Sequence, residues 1–103
     1  LNEKLLKKLK EAGDQSDKER PVDHFLYFTT EADQQCFIPY ILKQRFKIIS
    51  KEKTDDSKRP FKLQISRTDK VDLSSISAIT IDLKRVAMKC NGEYDGWETA
   101  VVK

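Results

Sequence analysis

Between Pro60 and Arg67 the chain alternates without interruption, with Phe61, Leu63 and Ile65 on one side and Lys62, Gln64 and Ser66 on the other. Successive side chains of an extended segment point to opposite faces, so this pattern describes a strand with one face in a core and the other in water. Its natural partner is the segment just before it. Phe46 to Glu52 reads as a second strand, joined to the first as a hairpin through the charged turn region KEKTDDSKR at 51–59.

The remaining elements follow from other periodicities. Pro21 opens a segment in which Val22 to Thr29, rich in aromatic and branched residues, reads as a buried strand. Thr30 is a good N-cap, with Glu31 in the first turn and Asp33 three residues on. The helix after it is expected to bury Phe37, Ile38, Ile41 and Leu42, and Pro39 inside it predicts a kink or an early break. Asp72 caps a longer helix whose apolar residues Leu73, Ile76, Ile79, Leu83, Val86 and Cys90 recur at threes and fours. Asn91-Gly92 stops it, and Tyr94 to Val102 reads as a last strand with Gly96 inside.

At the front, Leu1, Leu5, Leu6, Leu9 and Ala12 make one stripe of a short helix that ends at Gly13, with 14–20 as a polar linker. So short a helix is unstable alone in water and must pack on the domain or on a partner. The chain therefore divides into an N-terminal helix and linker, 1–20, and a domain, 21–103. The order strand–helix–strand–strand–helix–strand predicts an α+β ferredoxin-like plait, a four-stranded antiparallel sheet with two helices on one face.

Composition narrows the function. One domain of 103 residues has room for a single core, and 38% apolar residues support it beneath a shell in which 36% of residues are charged. The net charge is +3 with the two signs interspersed, which describes a solvated surface and not the basic stripe of a dedicated nucleic-acid binder. Two cysteines without a CxxC and one histidine give no zinc site, and no apolar run approaches a membrane span. No leader is visible in LNEKLLKKLKEAG, so the expectation is the cytoplasm.

No residues nominate a catalytic site or a cofactor. His24, the single histidine, lies in an apolar strand and is expected to be a hydrogen-bonded structural residue. Cys36 and Cys90 read as inert buried side chains; a disulfide between them is geometrically conceivable but is not expected in a reducing compartment. The alternative is an RNA- or small-molecule-binding plait; for RNA, a recognition plait stacks bases on aromatics of its first and third strands. Phe25 and Tyr27 share a face of the first strand, but the third strand offers only Lys62, Gln64 and Ser66. The expectation is that Phe25 and Tyr27 pack beneath a covering element such as the N-terminal helix.

The most distinctive stretch is Glu93-Tyr94-Asp95-Gly96-Trp97-Glu98. A glycine inside a strand marks a bulge or a close backbone approach. Its setting of two aromatics and three acids reads equally as a bulged edge with Trp97 in the core, or as a recognition surface. Acids here could meet arginines on a basic partner despite the positive net charge, because local potential decides a contact.

NGEYDGWET resembles the C-terminal signature of the regulator of ribonuclease E activity B family, in which EYDGW follows the last long helix. An amphipathic first helix ending in Gly13-Asp14, a strand with His24, a helix beginning Thr30-Glu31-Ala32-Asp33 and the following Phe46 carry the resemblance over nearly the whole chain. It implies a ferredoxin-like protein-interaction domain of bacteria, without catalytic residues, cofactor or metal. It also implies inhibition of ribonuclease E by direct binding to that enzyme's arginine-rich, non-catalytic scaffold region. The partner expected is a protein, ribonuclease E or another RNA-processing protein, with no membrane and no direct nucleic-acid contact. Residues expected at the partner surface are Tyr94, Asp95, Gly96, Trp97, Glu98, His24 and Tyr27. The chain differs from the acidic regulators of that family in being basic, which would slow encounter with an arginine-rich target.

Overall fold

The computed structural model describes residues 2–103; Leu1, the first member of the N-terminal stripe, lies outside them. In chain order the elements are α1 (Asn2–Glu11), β1 (Arg20–Phe28), α2 (Glu31–Lys43), β2 (Lys47–Lys53), β3 (Phe61–Asp69), α3 (Leu73–Lys89) and β4 (Gly92–Thr99). The strands form one sheet in the order β2-β3-β1-β4, with every neighbouring pair antiparallel. The α+β plait expected from the element order is the fold observed. The last strand ends at Thr99 and does not reach Val102.

The β1–β3 register is unbroken from Arg20 opposite Asp69 to Phe28 opposite Phe61. It places Leu26 against Leu63 and His24 against Ile65 on the helix side. Phe37, Ile38 and Ile41 of α2 and Leu83 and Ala87 of α3 close over that face. The strand alternation read from Phe61, Leu63 and Ile65 is therefore the inward face of the sheet. A second cluster, Val22, Val71, Ile76 and Trp97, is completed by Leu5, Leu6 and Leu9 of α1. The first helix packs on the domain, beside α3.

Three expectations about the helices need correction. Of the kink or early break expected at Pro39, the break does not occur: α2 runs through it to Lys43. Pro39 is exposed, and on the solvent side water can satisfy the carbonyl that loses its N–H partner. Leu42 is exposed, because the inward face of α2 ends at Ile41. On α3 the stripe is rotated: Leu73 is exposed, while Thr80 and Ala87 take buried places between Ile76 and Leu83 and beyond. Thr80 faces α1, where Asn2 Nδ2 donates to its hydroxyl at 3.0 Å.

The cysteines also differ from expectation. Cys36 and Cys90 form a disulfide, with their Cα atoms 5.8 Å apart. Cys36 lies on α2 and Cys90 caps the C-terminus of α3, so the bond ties the two helices that lie on the sheet. Asn91 follows in the left-handed conformation at φ 54°, the geometry that ends a helix at this position. Gly92 then passes so close to Phe28 that a Cβ would sit 2.5 Å from its ring. Only a glycine lets β4 enter the sheet there.

Candidate protein-interaction face

The two core clusters and all three helices lie on one side of the sheet. The other side is open. Phe25 and Tyr27 are half-buried and lie on that open side, since they alternate with Val22, His24, Leu26 and Phe28, which are buried. The expectation that α1 covers them is wrong: Leu5, Leu6 and Leu9 are spent on the second core cluster on the opposite face.

The EYDGW segment straddles the sheet. Strand β4 pairs regularly with β1 except between Phe25 and Leu26, where Gly96 opposes Phe25 and Tyr94 opposes Leu26, leaving Asp95 as the extra residue of a bulge. Gly96 adopts φ 140°, which disfavours any residue with a side chain. The bulge turns Tyr94 and Trp97 inward and leaves Glu93, Asp95 and Glu98 outward.

The inward residues form a support. Trp97 is 6% exposed, and its Nε1 donates to Asn2 Oδ1 at 2.9 Å, linking β4 to α1. Tyr94 packs against both clusters, and its hydroxyl shares a 2.8 Å hydrogen bond with His24 Nδ1. Burial pushes the Tyr94 hydroxyl well above the usual phenol range. Burial, reinforced by the Arg67 guanidinium, lowers His24 from 6.5 to about 4, so the ring is neutral at pH 7. Its Nε2 has no hydrogen-bond partner among the described residues. His24 therefore lies beneath the sheet and is not presented to solvent.

The outward residues make a different surface. In register on β1 and β4 stand Asp23 opposite Glu98 and Tyr27 opposite Glu93, with Asp95 in the bulge between. These strands place four carboxylates and the rings of Phe25 and Tyr27 on one half of the open face. The β2–β3 half carries Lys47 and Lys62 with Glu52 opposite Lys62, and Lys62 Nζ stands 5.4 Å from the centre of the Phe25 ring. Gln64 Nε2 donates to Asp23 Oδ2 at 3.0 Å across the boundary. At the turn end, Tyr27, Glu93 and Asp95 border an open hollow of about 490 Å³ together with residues of the β2–β3 connection.

Of the residues singled out from sequence, Tyr27, Asp95 and Glu98 share this open face. Gly96 shapes it, and Tyr94, Trp97 and His24 lie behind it. Glu93, part of the stretch singled out, shares the open face too; sequence reasoning missed Asp23 as a member of the same surface, and Arg59, which reaches Glu93 from the turn at 3.2 Å. Asp23 alternates with Phe25 and Tyr27 and so was legible. The Arg59 contact spans 34 residues and carries no local signal.

The protein is thus an α+β plait with its described helices on one side of the sheet and an acid-and-aromatic face on the other. Comparison with protein families gives a match over residues 1–99 to the family described as Regulator of ribonuclease activity B. The chain belongs to that family, whose description makes it a regulator of ribonuclease activity. A comparison with curated proteins finds no match. No helix among the described residues is long and apolar enough to cross a membrane.

Proposed function

We propose that this domain acts as a non-catalytic regulator that binds a ribonuclease of the E type directly. On this reading the acidic half of the open sheet face receives a basic, arginine-bearing segment of the enzyme. The observation that carries it is the grouping of Asp23, Glu93, Asp95 and Glu98 around Phe25 and Tyr27 on a face that no helix among the described residues covers. Carboxylates pair with guanidinium groups through charge-assisted hydrogen bonds, and aromatic rings offer them a stacking plane. The net charge of +3 slows encounter, but at moderate salt charges beyond roughly 10 Å are screened and the local field governs docking.

The same acids weigh against the RNA-binding alternative, since they would repel a phosphate backbone from the face where bases would have to stack. Calorimetric titration of the arginine-rich scaffold segment of ribonuclease E into the purified protein tests the proposal. Asp23→Asn combined with Glu98→Gln should weaken binding by at least about tenfold, as expected for losing two charged contacts at an interface. Unchanged affinity in that variant, or tighter binding to single-stranded RNA than to the peptide, would remove the reading.

A further inference from the structure

The hollow at the turn end of the open face points to a more specific site, and the inference rests on the reading above. Tyr27, Glu93 and Asp95 form one side of it, and Asp56, Lys58 and Arg59 of the β2–β3 turn form the other. The turn is built locally. The Asp56 carboxylate accepts the backbone N–H groups of Lys58 at 2.9 Å and Arg59 at 2.7 Å, and Thr54 N–H donates to Pro60 O at 2.6 Å. These bonds fix the backbone of Arg59 at the rim.

From there the Arg59 side chain crosses to β4, and Nη1 meets Glu93 Oε2 at 3.2 Å. The grip is slight. A guanidinium has five donors, and this one spends a single N–H on Glu93, while its Nε is buried with no hydrogen-bond partner. Both side chains remain substantially exposed, at 37% and 60%, so the ion pair is weak. Nearby, Asp95 has no ion-pair partner among the described residues, and the Tyr27 ring lines the same hollow.

We propose that this hollow is a guanidinium subsite whose carboxylate Glu93 is held, in the free protein, by the chain's own Arg59 on the rim. An arginine of the partner enters by displacing Arg59 from Glu93, takes Asp95 as a second carboxylate and lies against Tyr27. Arg59 then turns out to solvent. The β2–β3 turn is thus an internal competitor, and it sets a threshold that a lone lysine, a point charge without a planar fork, meets less well than an arginine.

The experiment measures binding of fluorescent nona-arginine and nona-lysine peptides to the full chain by anisotropy at low and moderate salt. Arg59→Ala should tighten nona-arginine binding by about two- to five-fold, the range an exposed ion pair commands. Lys10→Ala, which removes the same charge from α1, should give a smaller gain. The Arg59→Ala gain should vanish in a Glu93→Gln background. If the wild-type protein binds nona-arginine but Arg59→Ala gains no more than Lys10→Ala, or loses affinity, or keeps its gain without Glu93, the subsite is wrong while the sheet-face reading stands. If neither the wild type nor Arg59→Ala binds nona-arginine, both fall together.

Discussion

Tyr94 and Asp95 are adjacent in sequence and answer to different demands. Tyr94 lies under the sheet, where its ring joins two core clusters and its hydroxyl reaches His24. Asp95 lies on the open face, exposed, in a bulge that spares it from pairing. The same contrast runs through the whole sheet. The helix side is mainly apolar and closed, with its buried polar groups held in pairs such as Arg20–Asp14 and Tyr94–His24. The open side mixes carboxylates, cations and half-buried rings that no other element needs for packing. A signature such as EYDGW therefore combines residues that hold a shape with residues that present it.

The contrast breaks most visibly under truncation of the inner side. Trp97→Ala should lower stability by roughly 3–5 kcal/mol in chemical denaturation, from lost burial and a residual cavity. A loss below about 1 kcal/mol would show that the second cluster does not depend on the ring. Next in size is the disulfide. It closes a 54-residue separation, and its reduction, or Cys90→Ser, should cost up to about 4 kcal/mol on chain-entropy grounds, read as a fall in the denaturation midpoint with reductant. A midpoint indifferent to reductant would mean that packing alone holds α2 and α3.

His24 gives a pH-dependent test of the same side. Its pKa is about 4 when folded against 6.5 in the unfolded chain, so the unfolded state takes up a proton first as pH falls. Stability contributed by the neutral ring is complete above about pH 6.5 and is lost down to about pH 4, a decline of about 3 kcal/mol at 1.36 kcal/mol per pH unit. His24→Asn should flatten that window; an unchanged slope would assign it to other groups. The smallest effect belongs to the outer side. Asp95→Asn should leave stability within about 0.5 kcal/mol of wild type, as for an exposed surface change. In the same protein its binding to an arginine-rich peptide should weaken. A large stability loss here would erase the division between the two faces.

Much of this was legible in the sequence because it is local. Alternation at Phe61, Leu63 and Ile65 gave the inward face of β3, and Thr30 and Asp72 gave the helix starts, each accepting a backbone N–H at the third residue on. What escaped depends on contacts between distant segments. The Leu73–Cys90 stripe advances by threes and fours and drifts around a 17-residue helix, so Leu73 leaves the core while Thr80, next to α1, enters it. The cysteine pair has no spacing signal, because only the topology brings the first half of α2 to the end of α3. Likewise nothing local says which face α1 covers, and that choice decides whether Phe25 and Tyr27 are core or surface.

The docking of α1 has a further consequence for how the molecule opens. Its contacts join opposite ends of the chain, with Asn2 bonded to Trp97 across 95 positions, and in the linker that follows, Asp14 accepts the N–H of Val102 across 88. Its ten residues include none that is fully buried. Such an element gains its order late, after β4 has joined the sheet, and loses it early. Amide exchange under native conditions should therefore show 2–11 releasing their protons through a partial opening well below the global unfolding free energy, while β1 and β3 exchange only when the entire domain comes apart. In that partly opened form Trp97 loses its cover without the sheet being lost, so the support behind the EYDGW strand is the first part of the interior to meet water.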